Sequence, residues 1–254
     1  MSEPGVALVT GAARRIGRAI AIDLARRGWA VALHGRTDDA DLREALEEVR
    51  SSGARGATLV ADLAREEQTR ALVERAAAAL GPVTCLVNSA SAFEYDRVGT
   101  ATRANWDLHL ETNLRAPFVL TQEMARLLPA EAGGNVVHLI DQRVWNLTPH
   151  FVSYTVSKSA LWTLTRTLAL ALAPRIRVNA IGPGPTLKSA RQSQADFERQ
   201  WSSTPLGRGT TPAEIAAAVC FLIDSPAVTG QMIALDGGQH LGWKFPGERP
   251  DANE

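Results

Sequence analysis

Apolar and polar positions follow two rhythms that succeed one another almost from end to end. Residues 6–10 form a short apolar run that reaches a glycine, and residues 15–27 then place Ile16, Ala19, Ile20 and Leu24 on one helical face. Further strands are expected at 29–33, 58–60, 83–88, 135–140, 176–181 and 232–235, and further helices at 40–51, 65–80, 105–128, 152–173 and 212–222. The strands are apolar throughout rather than at alternate positions, which marks a sheet covered on both sides. The pattern predicts an α/β fold: a single Rossmann-type, doubly wound domain over 1–254, its seven-stranded parallel sheet flanked by helices on both faces.

Two stretches leave this pattern. Residues 182–205 are Gly/Pro-led with a polar helical portion and are expected to form a lid over a substrate. The tail, 239–254, is too polar and too rich in Pro and Gly to be core. Trp243, Lys244 and Phe245 there are expected to dock either on a neighbouring subunit or on the chain's own body.

A chain of 254 residues can bury one large core, and 45% apolar with 21% charged residues is an ordinary globular balance. Lys and Arg together number 27, as do Asp and Glu, so nothing points to nucleic acid or to a membrane surface. No apolar run approaches the roughly 20 residues that span a bilayer. Met1-Ser2-Glu3-Pro4 lacks the basic and then apolar character of a secretory signal, so a cytoplasmic location is expected. Cys85 and Cys220 sit in apolar segments and read as buried thiols; no metal site is expected.

The chemistry gathers at strand ends. Thr10-Gly11-Ala12-Ala13-Arg14-Arg15-Ile16-Gly17 follows the first strand and opens a helix, where glycines let the backbone approach a pyrophosphate held by the helix N-terminus. After the third strand come Asp62, placed to bond an adenine amine, and Leu63. After the fourth come Asn88, Ser89, Ala90 and Ser91, near adenosine and ribose. The second strand ends His34-Gly35-Arg36-Thr37. An NAD site puts a carboxylate there for the ribose 2′-hydroxyl, whereas an arginine suits a 2′-phosphate, so NADPH is preferred to NADH. Asp38 and Asp39 can instead cap the next helix.

Tyr154 and Lys158 stand four residues apart on a predicted helix and so share a face. An ammonium beside a phenol stabilises the phenolate, which makes the tyrosine a usable proton donor to a developing anion. Ser153, although adjacent, points elsewhere on the helix.

These features resemble the short-chain dehydrogenase/reductase family over essentially the whole length. The family's Thr-Gly-x-x-x-Gly-x-Gly turn matches residues 10–17 except at one position, and its Asn-Asn-Ala-Gly segment corresponds to Asn88-Ser89-Ala90-Ser91. Its helix asparagine is Asn113, its Tyr-x-x-x-Lys is Tyr154 and Lys158, and its Pro-Gly turn is Pro183-Gly184. The resemblance implies hydride transfer from a nicotinamide, with Tyr154 as acid, Lys158 holding the ribose and Asn113 supporting a water-linked proton relay. It also implies a homotetramer, and cofactor contacts that include Arg14, Ile16, His34, Thr37 and Thr186.

Two positions depart from the family. The middle glycine of the turn is Arg15, and the catalytic serine, thirteen residues before the tyrosine, is Asp141. Both replacements are similar to the pteridine reductase branch, which includes bacterial dihydromonapterin and dihydrofolate reductases. Phe93 falls where that branch stacks a phenylalanine on the pterin, and a flat aromatic substrate gains from such a contact. An ionised carboxylate cannot donate to a substrate carbonyl and repels a forming alkoxide, whereas a pterin takes its proton at a ring nitrogen. The expected substrate contacts are Arg15, Ser91, Phe93, Asp141, Tyr154, Pro185 and Thr186. The alternatives are a carbonyl or 3-ketoacyl reductase of the same family, and a non-catalytic NADP(H)-sensing protein.

Overall fold

The computed structural model describes residues 4–242. Seven parallel strands lie in the order β3-β2-β1-β4-β5-β6-β7. They are β1 (Val6–Val9), β2 (Ala30–Gly35), β3 (Gly56–Val60), β4 (Val83–Asn88), β5 (Gly134–Leu139), β6 (Ile176–Pro183) and β7 (Met232–Leu235). The chain runs outward from β1 to β3 and then returns to lay β4 on the other side of β1. That reversal opens a crevice at the carboxyl ends of β1 and β4, where ligands of such sheets bind.

Alternate side chains of one strand serve two cores. Ala7 and Val9 of β1 pack beneath α1 (Arg15–Arg26), α2 (Ala40–Ser51) and α8 (Pro212–Asp224), among Ile20, Leu24, Leu42 and Val219. Val6 and Leu8 face α3 (Glu66–Leu80), α5 (Ala116–Leu127) and α6 (Val152–Leu172), among Leu72, Leu120, Met124 and Leu168. Both faces being covered explains the unbroken apolar strands. Cys85 and Cys220 are buried, free thiols. Among the described residues, no helix is long and apolar enough to cross a membrane.

Two expectations are corrected. The helix over 105–128 is not uniform: α4 (Arg103–Leu110) passes into a π-helical turn (Glu111–Arg115) before α5. The lid span 182–205 begins inside the sheet, because β6 continues to Pro183, and its helical portion is α7 (Gln194–Ser202), capped by Ser193. Of the tail 239–254, Gln239–Leu241 form a 3-10 turn; Trp243, Lys244 and Phe245 lie outside the described residues.

Candidate active site

Thr10 joins the two strands that bound the crevice. Its main-chain N–H donates to Val87 O at 2.9 Å, and its hydroxyl accepts from Ser89 N at 3.0 Å and Ala90 N at 3.1 Å. Gly11 then turns with φ +65°, where a Cβ would come within 2.9 Å of the Ala90 backbone. A Cβ on Gly17 would meet Gly11 O at 2.2 Å, so α1 can start this close to the strand only without a side chain there. His34 is buried behind the turn: Nδ1 accepts from Gly11 N at 3.2 Å and Nε2 pairs with Ala61 O at 3.0 Å. It braces the turn, and burial pushes its pKa down, keeping Nδ1 free to accept.

Arg15 also adopts a left-handed backbone, φ +54°, at the family's glycine position. Its guanidinium leaves the turn and donates to Lys188 O at 2.9 Å and Leu187 O at 3.1 Å, fastening the segment that follows β6. Arg14 instead pairs with Asp39 at 2.8 Å and Asp41 at 2.7 Å, and Ile16 packs against the core.

Arg36 is exposed at the end of β2 and has no ion pair among the described residues. Asp39 caps α2 through Leu42 N and Asp38 pairs with Arg43 at 2.9 Å, so neither aspartate is presented as a ribose ligand. Thr37 donates to Asp39 at 3.1 Å. Asp62 accepts from Ala64 N at 3.0 Å, Leu63 is core, and Asn88 is buried with neither its side-chain oxygen nor its nitrogen partnered. A buried amide left unmatched at a strand end, a turn that excludes two Cβ atoms and an uncommitted arginine together fit a phosphorylated dinucleotide.

Tyr154 lies in the first turn of α6, and its hydroxyl donates to Asp141 Oδ2 at 2.9 Å. The other oxygen of Asp141 accepts from Arg143 N at 2.8 Å, which fixes the carboxylate just beyond β5. Lys158 is buried, with Nζ 5.8 Å from the Tyr154 ring centre and donating to Leu139 O at 2.8 Å. Burial pushes its pKa down to about 8, against the opposing pull of Asp141. Asn113 sits in the π-helical turn. Its amide donates to Ala92 O and Ser157 Oγ and accepts from Ala92 N and Ser91 Oγ, all between 2.7 and 3.2 Å. All four side-chain bonds of Asn113 are thus committed, so a relay water there would have to use main chain. A π turn frees carbonyls from their α-helical partners and is common at functional sites.

Phe93 lies beside this centre. It is edge-on to Tyr154 with ring centres 4.6 Å apart, and one face stacks on Phe151 at 4.5 Å and 7°. Arg191, between β6 and α7, reaches across, donating to Phe93 O at 2.7 Å with its guanidinium 5.0 Å from the Phe93 ring centre. Pro183 ends β6, and Gly184 and the buried Pro185 and Thr186 follow; Thr186 Oγ1 donates to Gly184 O at 3.0 Å. Phe151 and Arg191 carried no signal in the sequence, since each acquires its role only by meeting Phe93 across more than 50 residues.

A parallel sheet with this strand order, a glycine turn at its crevice and a Tyr/Lys pair on α6, the helix after β5, define a dinucleotide-dependent oxidoreductase. The profile of a family described as enoyl-(acyl carrier protein) reductase matches residues 11–240, and the chain belongs to the short-chain dehydrogenase/reductase family. It is similar to the FolM alternative dihydrofolate reductase 1 of Brucella suis, solved with NADP. That likeness has 49% identity and a TM-score of 0.92, covering 96% of this chain and 98% of that one. The Brucella canis protein of the same description, also solved with NADP, is 46% identical, with a TM-score of 0.90 and 98% of each chain covered. A 3-oxoacyl-[acyl-carrier-protein] reductase, FabG, of Staphylococcus epidermidis is 30% identical over 92% of this chain and 98% of its own.

Proposed function

We propose that this protein is an NADPH-dependent reductase of pteridines, acting on a dihydropterin or on dihydrofolate. The observation that carries the reading is the 2.9 Å hydrogen bond from Tyr154 to the Asp141 carboxylate. A serine in that place would donate to a carbonyl oxygen; a carboxylate accepts only, and would oppose a developing alkoxide. Together Tyr154 and Asp141 hold a proton that suits a ring nitrogen. When bound, the reduced nicotinamide supplies hydride to the adjacent ring carbon. Lys158 supplies positive charge beside Tyr154 and holds the ribose, while Arg36 meets the 2′-phosphate. Phe93 stacks the flat ring, with Ser91, Arg15, Pro185 and Thr186 around its edge. The Brucella relatives support both the cofactor and the substrate class. We further propose that the active form is a cytoplasmic homotetramer, which sedimentation equilibrium tests.

The likeness to a 3-oxoacyl reductase favours a second reading, reduction of a ketone on the same scaffold. Steady-state rates with dihydromonapterin, dihydrobiopterin, dihydrofolate and simple 3-oxoacyl thioesters separate the two. The pteridine reading expects turnover on the first group that is abolished in Asp141→Ala; turnover on thioesters alone refutes it.

A further inference from the structure

Helix α6 carries Tyr154 and Lys158, yet nothing on its own N-terminal residue caps it. Phe151 occupies the cap position in a left-handed conformation, φ +56° and ψ +49°, and a phenyl ring offers no acceptor. The acceptor comes from Asp96, in the loop between β4 and α4. Its main-chain carbonyl accepts from Phe151 N at 2.8 Å, and its carboxylate accepts from Ser153 N at 3.3 Å to each oxygen and from the Ser153 hydroxyl. A carboxylate is the favoured partner for the unpaired N–H groups and the positive end of a helix.

The bonding continues into α4. The Ser153 hydroxyl accepts from His109 Nδ1 at 2.7 Å, and His109 Nε2 accepts from Glu94 N at 2.9 Å. The second contact sets the tautomer, because a main-chain N–H needs the lone pair on Nε2 and leaves the proton on Nδ1. Burial lowers the His109 pKa, with Asp96 opposing, so the neutral ring fits. Asp96, Ser153 and His109 are all fully buried.

Aspartate, histidine and serine in contact invite comparison with a nucleophilic triad, but the order excludes one. In a triad the imidazole lies between carboxylate and hydroxyl and takes the hydroxyl proton. Here the hydroxyl lies between carboxylate and imidazole, the imidazole donates to it, and solvent reaches none of the three.

We infer that Asp96 is a positioning residue for proton donation, fixing Tyr154 through Ser153 and the Phe93 wall through Phe151. Phe151 stacks on Phe93, and Phe93 is edge-on to Tyr154, so a single residue sets both, the acid through its carboxylate and the surface beside it through its main-chain carbonyl. The inference rests on Tyr154 as proton donor and is independent of the substrate class.

The test compares full-length wild type, Asp96→Asn, Ser153→Ala and Tyr154→Phe in NADPH oxidation, using whichever pterin or thioester turns over, with NADPH affinity from fluorescence titration. Asp96→Asn is expected to lose about tenfold or more in kcat, as small displacements of reacting groups do, with NADPH affinity unchanged. Ser153→Ala keeps the main-chain cap and is expected to lose about threefold, the worth of one modest hydrogen bond. A wild-type kcat in Asp96→Asn, or a parallel loss of kcat and NADPH affinity, overturns the inference. Should Asp96→Asn fail to fold, Ser153→Ala decides by the same split. Full activity in Tyr154→Phe overturns the proton-donor reading itself; an inactive Tyr154→Phe beside a fully active Asp96→Asn overturns the positioning role alone.

Discussion

Replacing Arg15 by glycine separates the stability of the cofactor turn from the closure of the lid that we propose the segment after β6 to be. A residue with a side chain held at φ +54° carries about 1–2 kcal/mol of backbone strain. Glycine removes that strain, but the freedom it adds to the unfolded chain returns about 0.5–1 kcal/mol of cost. The net gain is therefore between zero and about 1.5 kcal/mol, a rise in Tm of no more than about 6 °C at this chain length. The lid loses two hydrogen bonds, at 2.9 and 3.1 Å, from an exposed guanidinium to Lys188 O and Leu187 O. At about 0.5–1 kcal/mol each for exposed charged contacts, closure weakens by about 1–2 kcal/mol, or roughly 5–30-fold in kcat/KM. Thermal melts, limited proteolysis within 187–192 and steady-state kinetics measure the three quantities. A large fall in Tm with the lid still protected refutes the reasoning, because it would make Arg15 a support of the global fold.

Two further outcomes follow from single residues. Lys158 has a pKa of about 8 in the folded protein against an ordinary 10.5, so between those values the unfolded chain binds more protons. Its contribution to stability therefore rises with pH across that window, while kcat falls as the ammonium beside Tyr154 is lost; a kcat flat across the window contradicts this. Arg36→Asp exchanges a 2′-phosphate partner for a 2′-hydroxyl partner and is expected to lower the NADPH-to-NADH ratio of kcat/KM by about 100-fold or more, read with both cofactors at fixed substrate.

The sheet was legible because its signal is local: each strand is a short apolar run, and the burial of both faces by helices is written into the run itself. The turn from Gly11 to Gly17 was legible for the same reason, its conformational demands being met within a few residues. The π-helical turn was not. Its pattern of apolar residues continues that of a plain helix, and only the fit of Asn113 against Ala92 and Ser157 reveals the extra residue. Asp96 was invisible because an aspartate in a polar loop looks solvated until Ser153, 57 residues later, is folded against it. The strand end of β2 points to His34 as a cofactor contact, whereas the structure turns its ring inward to hold Gly11.

The turn at Glu111–Arg115 lets one continuous helix obey two templates. Each residue of an α-helix advances about 100°, so one surplus residue re-phases everything before it relative to everything after. Downstream, Leu120 and Met124 keep step with the sheet; upstream, His109 keeps step with Ser153 and the loop that carries Asp96. Removing a single residue from 111–115 would leave composition and hydrophobicity almost untouched, yet force a choice between packing and chemistry. Such a deletion is harmless in most exposed loops and would here swing His109 about a quarter turn off its partner. The length of this short segment is thus as specific as the identity of any side chain in it.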